Sequence, residues 1–378
     1  MSGLSHGSWQ IGKVFGIPIR VHYTWLIIFG LLTWSLSTLY FPSVAPQMSQ
    51  SSYWIKGALA ALLLFVSVAI HELSHSLVAL KYRLEIESIT LFIFGGVAQM
   101  KGEPPSPQAE FRIAIAGPLA SFALAGIFYA LEANTLDIGA KSLFAYVSNI
   151  NLILGIFNLI PGFPMDGGRV FRAMLWSRKK DYVYATQKAS KLGQGIAVFF
   201  IIFGLFLLLF GAPTGLWLIL IGWFLYSAAY GSYQQTTLQA LLEGVKVKDI
   251  MARELITVEP QMNIQELVNK YFLKYGYTGF PVTEGGKYLG IITLRDIKNI
   301  PEADRAQREV SEFYQRHRNE WEISEEEFVV NALERMLKNE MGRLVVVDGD
   351  KIVGMITRNG IAKYLEVKGA IVSKEETR

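Results

Sequence analysis

The sequence predicts a polytopic α-helical membrane protein. About six transmembrane helices and a re-entrant or membrane-associated β element precede a C-terminal α/β pair of repeats. Three observations carry this prediction. The first 232 of the 378 residues hold only 24 charged side chains, whereas the last 146 hold 44. Long stretches of the front part contain no Asp, Glu, Lys or Arg at all, and a helix needs roughly 20 apolar residues to cross a bilayer. The tail repeats itself: Phe280-Pro281-Val282, Lys287 and Gly290-Ile291-Ile292-Thr293 realign with Leu344-Val345-Val346, Lys351 and Gly354-Met355-Ile356-Thr357.

The charge-free stretches place the spans. They run over 21–55, 57–70, 113–131, 142–165 and 192–242, and the last is long enough for two helices around the turn signal Gly211-Ala212-Pro213. The six spans fall near 23–41, 55–81, 110–132, 141–161, 189–210 and 215–233. Lys81, Arg83, Lys101 and Arg112, and then Arg169, Arg172, Arg178, Lys179 and Lys180, flank alternate ends, while the loops around 42–54 and 210–216 are uncharged. The positive-inside rule therefore puts both termini in the cytoplasm, most simply of a cell membrane. Lys13 and Arg20 interrupt a polar start with no apolar core, so no cleavable signal peptide is expected. The segments 1–233, 234–244, 245–300 and 301–370 are read as membrane domain, linker, first repeat and second repeat.

Ile86–Met100 is short, β-branched and interrupted by Gly95-Gly96, which predicts two strands rather than a span. Strands at membrane depth must be buried in protein or line a wet cavity, because lipid cannot satisfy a bare edge. A hairpin lying on the cytoplasmic membrane surface is the alternative. Gly12–Arg20 looks strand-like and Glu302–Glu312 like an acidic helix, neither with a functional signal. The absence of cysteine excludes disulfides, thiolate metal sites and a cysteine nucleophile. A net charge of +4, scattered along the chain, argues against nucleic acid as a partner.

The chemistry lies in the few polar groups of the front part. His71-Glu72-Leu73-Ser74-His75 closes the second span, and two of the chain's five histidines stand four residues apart there. On a helix they share one face, so both imidazoles can converge on one Zn²⁺. Glu72, beside the first, can take a proton from an attacking water and pass it to a leaving amine. Ionisable groups within a span are costly and usually functional. The alternative is a pair of histidines bonded to backbone carbonyls beside a buried glutamate.

A catalytic zinc needs a third protein ligand. Asp166, the only carboxylate between Asp137 and Asp181, follows Pro161 and Pro164 and precedes Gly167-Gly168. The prolines break the fourth span and the glycines permit close backbone approach, so its carboxylate can turn toward the histidines. Its competing role is to cap the helix expected over 169–176. Glu85, Glu87, Glu103 and Glu110 read as ordinary solvated groups, and His6, His22 and His317 as surface or interfacial residues.

These motifs resemble the site-2 protease family of intramembrane zinc metalloproteases, in the subfamily with a cytoplasmic pair of cystathionine-β-synthase (CBS) domains. The resemblance runs through Gly16-Ile17-Pro18-Ile19-Arg20, the zinc helix, Phe94-Gly95-Gly96, Ala116-Gly117-Pro118 and Asn158 to Asp166-Gly167. It implies His71, His75 and Asp166 as zinc ligands, Glu72 as the acid/base, and Asn158 in substrate binding or oxyanion stabilisation. Relatives often carry Asn after the Gly-Pro motif, where this chain has Leu119-Ala120-Ser121. The implied activity is hydrolysis of a peptide bond within or near a transmembrane helix of a membrane-anchored substrate. An extended substrate could pair with the edge of 86–100, replacing the helical hydrogen bonds it gives up.

The tail similarly resembles a tandem CBS pair, a module that often binds adenosine nucleotides (ATP, ADP or AMP) and can dimerise. Its ribose-contacting Thr-x-x-Asp pattern appears as Thr293 and Asp296, whereas the second copy ends in Gly360. One nucleotide site, built on Thr293 and Asp296, is therefore the expectation. The alternatives are a purely structural pair, with Asp296 capping its helix. A CBS-gated ion or metal transporter would join the same two parts, but it has no need of a general base at Glu72.

Overall fold

The computed structural model describes residues 7–375 except 94, 317–319, 340 and 350. His6, Phe94, His317 and Asp350 thus lie outside the described residues. The chain divides into two compact units, Met1–Thr236 and Thr237–Arg378.

Among the described residues, six helices are long and apolar enough to cross a membrane. They are α1 (Thr24–Val44), α2 (Gln50–Lys81), α3 (Pro107–Ala133), α4 (Ile138–Asn158), α6 (Tyr182–Leu209) and α7 (Thr214–Leu242), with the shorter α5 (Asp166–Lys179) between α4 and α6. Local chemistry sets their starts. Ser49, Ser106, Asp137 and Asp181 accept the backbone N–H groups of Ser52, Ala109, Ala140 and Tyr184, opening α2, α3, α4 and α6. Pro107 stands in the first turn of α3, where a missing N–H costs nothing. Leu26, Leu31, Ile153, Phe199, Leu209 and Trp217 are among many large apolar side chains left exposed on these helices, a surface that suits lipid rather than water.

The β element is larger than its sequence suggests. Strands β3 (Glu85–Phe92) and β4 (Gly95–Lys101) form the expected antiparallel pair. The N-terminal hairpin β1 (Ser8–Val14) and β2 (Ile17–His22) extends it to one sheet of order β1-β2-β3-β4. Strand β2 lies parallel to β3, Ile19 opposite Ile89, with α1 and α2 forming the crossover. The strand-like Gly12–Arg20 is therefore part of this sheet. Ile17, Ile19 and Ile89 pack with Leu73 of α2, and Val21 and Leu91 with Val68. His22 is not a surface residue: it is buried and bonded to Thr24 Oγ1 at 2.9 Å.

The loop between α4 and α5 is held by backbone contact. A Cβ on Gly193 of α6 would collide with the carbonyl oxygen of Phe163, and one on Gly162 would come within 2.6 Å of Gly193 Cα. Gly168 and Gly167 likewise press on the backbone of 162–163 and 159–160, as the Gly-Gly pair after Asp166 predicts.

In the second unit, the same elements recur across the 64-residue repeat. Strands β5 (Gly279–Glu284) and β6 (Lys287–Thr293) pair antiparallel beneath the helical segment 264–275, and β7 (Arg343–Asp348) and β8 (Lys351–Thr357) beneath Val329–Lys338. Each has its own apolar cluster, one centred on Phe280, Val282 and Ile292, the other on Leu344, Val346 and Ile356. The acidic segment expected as a helix forms only single 3₁₀ turns, Glu302–Asp304 and Val310–Glu312. Its backbone is drawn into other bonds, Arg308 O accepting from Ile264 and Val310 N donating to Met262 O, and it has no apolar stripe to bury as a helix would.

Gly193→Ala should lower the melting temperature in detergent, consistent with an overpacking cost of about 1–3 kcal/mol. Gly195→Ala, whose methyl meets nothing within 4 Å, should leave it unchanged or raise it. Equal behaviour of the two would show that the 162–163 contact contributes nothing.

Candidate active site

The functional side chains converge from three helices. His71, Glu72 and His75 lie on α2, the two rings 4.9 Å apart and nearly perpendicular. Asp166 is the first residue of α5; Met165 occupies the capping position and Asp166 makes no capping bond. Its Oδ2 instead lies 3.1 Å from His71 Nε2 and 3.0 Å from His75 Nε2. The structure thus brings His71, His75 and Asp166 into one three-residue cluster.

The donor set fits a zinc ion. One atom from each of His71, His75 and Asp166 lies within 4.8 Å of the others, and two donors about 2.0–2.2 Å from a tetrahedral ion stand roughly 3.3 Å apart. The far ring nitrogens are already committed. His75 Nδ1 donates to the carbonyl oxygen of Ile113 at 2.6 Å, and His71 Nδ1 is bonded to Ser121 Oγ at 2.8 Å. A carbonyl only accepts, so the Nδ1 proton is fixed and a neutral His75 turns an Nε2 lone pair toward a carboxylate oxygen. Two acceptors facing each other in a buried site call for a cation between them.

The sequence left α3 without a role, yet α3 frames this cluster. Glu110, Ile113, Gly117 and Ser121 are spaced three, four and four residues apart and form one buried stripe. Gly117 backs both imidazoles: a Cβ there would strike His75 Nε2 and come within 2.6 Å of His71 Nε2. The spacing of Gly117 and Ser121 beside a proline within a span was the available signal. Glu110 is not a solvated group. It is fully buried, and its Oε1 accepts from Arg172 Nε at 2.7 Å and from Nη2.

Glu72 Oε2 accepts the backbone N–H of Ala98 in β4 at 3.2 Å. Gly96 of the same strand packs so closely on α2 that a Cβ would lie 2.9 Å from Glu72 Cγ. His71, Glu72, Gly95, Gly96, Leu154 and Asn158 share a cavity of about 340 Å³, closed on another side by Ile28 and Leu32 of α1. Asn158 ends α4; its Nδ2 donates to Leu154 O at 3.0 Å. Asn158 thus faces the same space as Glu72 without bonding to it.

Asp296 Oδ2 accepts from Thr293 N at 2.7 Å and Thr293 Oγ1 at 2.6 Å, and its Oδ1 accepts from Gln315 at 2.8 Å. The two residues form a capping box, the alternative role for Asp296. Neither lines a cavity of about 500 Å³ that both copies bound, the first with residues such as Ile256, Tyr277 and Phe280 and the second with Arg343, Thr357 and Asn359.

Comparison with known proteins matches two families along the chain. Residues 59–134 and 130–204 match Peptidase family M50, and 247–302 and 317–367 match the CBS domain. Zinc metalloprotease MJ0392 of Methanocaldococcus jannaschii is 36% identical over 360 residues, 95% of this chain and 96% of its own. Rip3 of Mycobacterium tuberculosis is 33% identical over 364 residues, 94% of this chain and 92% of its own. The solved site-2 protease from M. jannaschii, 36% identical, aligns with 60% of this chain and 95% of its own at a TM-score of 0.43. The chain belongs to peptidase family M50, the site-2 proteases, in the form that carries a tandem CBS pair. It is a multi-pass membrane metalloprotease, and the transporter alternative falls.

Gly117→Ala places a methyl where both Nε2 atoms converge. Zinc content of the purified protein, measured by mass spectrometry, should fall from one per chain toward zero, while Gly126→Ala on the same helix, with open space around it, should keep it.

Proposed function

We propose that this protein hydrolyses a peptide bond within or near a transmembrane helix of a membrane-anchored protein, as a step of regulated intramembrane proteolysis. The observation that carries the proposal is the cavity shared by His71, Glu72, Asn158 and the free edge of β4. Strand β3 pairs on both sides, so β4 holds the open edge on the zinc-helix side. Ala98 turns its N–H away from β3 toward Glu72, and backbone groups alternate direction along a strand, so Gly96 and Met100 face the same way. An unwound substrate segment gains hydrogen bonds there to replace its helical ones.

His71, His75 and Asp166 would hold one zinc ion. When bound, the ion supplies Lewis acidity to the scissile carbonyl and lowers the pKa of the attacking water. Glu72 takes the proton of that water and returns it to the departing amine. The Ala98 amide that Glu72 now accepts is one an incoming strand also uses, so substrate pairing releases the carboxylate for this work. Asn158 has a second amide N–H beyond the one donated to Leu154, and it steadies the developing oxyanion. Both termini face the cytoplasm of a cell membrane, as the distribution of Lys and Arg indicates.

Glu72→Gln keeps the size and hydrogen-bonding reach of the side chain but cannot accept the proton. Cleavage of a co-expressed membrane-anchored substrate should drop at least about 100-fold with zinc content unchanged. Cleavage at the wild-type rate would sink the mechanism.

We further propose that the CBS pair binds an adenine nucleotide (ATP, ADP or AMP) in the 500 Å³ cavity, rather than at Thr293 and Asp296, and that the pair mediates a homodimer. Arg343 lies on the cavity wall. Burial holds its guanidinium below its ordinary pKa, so an anionic phosphate would stabilise its charge. Titration of the full-length protein should show Arg343→Ala weakening nucleotide binding about tenfold or more. Asp296→Ala should lower thermal stability through its lost cap and leave affinity intact. Wild-type protein that binds none of the three nucleotides would overturn the assignment.

A further inference from the structure

Helices α3 and α5 make opposite contributions to the metal cluster. Helix α3 holds the outer nitrogens of both histidines through Ile113 O and Ser121 Oγ, and α5 brings the carboxylate of Asp166 against the inner ones. The cluster therefore keeps its shape only if the two helices keep their mutual rotation and depth. One ion pair spans them in the interior. Glu110 lies one turn before Ile113 on the same face of α3, and Arg172 lies six residues beyond Asp166 on α5.

Arg172 is held on every side that the structure describes. Two of its nitrogens, Nε and Nη2, donate to the one oxygen Glu110 Oε1, and Nη1 donates to Thr186 Oγ1 at 3.3 Å. Its guanidinium carbon lies 4.8 Å from the centre of the Phe163 ring and 4.5 Å from that of Tyr182. Phe163 belongs to the loop that delivers Asp166, and Tyr182 opens α6 and donates its hydroxyl to Glu103. A guanidinium sandwiched between two rings and forked onto a buried carboxylate resists sliding and rotation far better than apolar side chains in contact.

A pair that only stabilised the fold would be an expensive choice. Taking both charges out of water costs much of what their attraction returns, and a buried ion pair can often be replaced by apolar residues without loss of stability. What such a pair does provide is a single geometry. We infer that Glu110 and Arg172 are positioning residues for the metal centre: their pair sets the register of α5 on α3 and so the distance from Asp166 to His71 and His75. The inference rests on the zinc assignment above and adds a requirement to it, that metal affinity depends on a contact outside the ligand set.

The test uses the full-length chain in detergent, stripped of metal and titrated with zinc against a chromophoric chelator, then with cobalt to record the ligand-field spectrum. Glu110→Gln strands a buried guanidinium and risks unfolding. The deciding variants are therefore Arg172→Lys, which keeps the charge but loses the fork, and the double variant Glu110→Leu/Arg172→Met, which removes both charges at similar volume. Folding is checked by circular dichroism and melting temperature. Both variants should fold, bind zinc about 10–100-fold more weakly, and give a cobalt spectrum shifted toward that of Asp166→Ala. A double variant with wild-type zinc affinity and a wild-type cobalt spectrum overturns the inference, whatever its melting temperature, because a purely structural pair would move only the latter. Wild-type protein that takes up no zinc overturns the metal assignment itself, before any variant is compared.

Discussion

The geometry of the active site depends on one buried face of α3. Glu110, Ile113, Gly117 and Ser121 follow one another along it, and each meets a different part of the cluster. Ile113 and Ser121 take the outer nitrogens of the histidines, Gly117 leaves room for the inner ones, and Glu110 binds the helix that carries Asp166. An imidazole is a useful metal ligand only when its other nitrogen is satisfied, since that bond fixes both tautomer and ring angle. The two histidines sit on α2, but their orientation is set from α3. In a low-dielectric interior these bonds are strong when made and costly when missing, so the stripe leaves little freedom to the cluster.

Around that centre the molecule is assembled from apolar helices with few polar exceptions, and the exceptions sit together. The four-stranded sheet places an edge strand beside Glu72, where it lines a cavity. That location resolves the cost of bare backbone within a membrane domain, because the edge lines a cavity. The glycines at 162, 167, 168 and 193 serve a similar end, letting the loop before α5 approach α6 and α4 without intervening side chains. Glu72 on α2 and Asp166 on α5 are thereby held near one another by backbone contacts that no larger residue would permit.

Legibility differed with the range of the interaction. The six spans followed from charge-free stretches, because the cost of a charge in hydrocarbon acts on each segment separately. The His71–Glu72–His75 pattern was legible because a helix maps sequence spacing onto one face. Asp166 was legible as the single carboxylate of a long segment flanked by prolines and glycines. The parallel pairing of β2 with β3 was not, since the strands are separated by two spans and their register depends on packing against α2. Glu110 was misjudged for the same reason: position near the membrane interface suggested solvent, and only the approach of Arg172 from α5 makes its burial tolerable. Thr293 and Asp296 were legible as a local pattern, and the structure joins them in a capping box that opens the short helix after β6.

By itself, the sequence determined where the chain crosses the membrane, that its tail is a repeated α/β module, and which side chains can carry metal and proton chemistry. These properties arise from composition and short-range periodicity, which act before any distant contact forms. Tertiary structure decided the rest: which nitrogen of each histidine is free, which strand keeps an open edge, which residues of the two repeat copies meet around one cavity, and which surface-seeming charge is buried. Each is settled by groups brought together from distant segments, where one residue's environment is another residue's side chain.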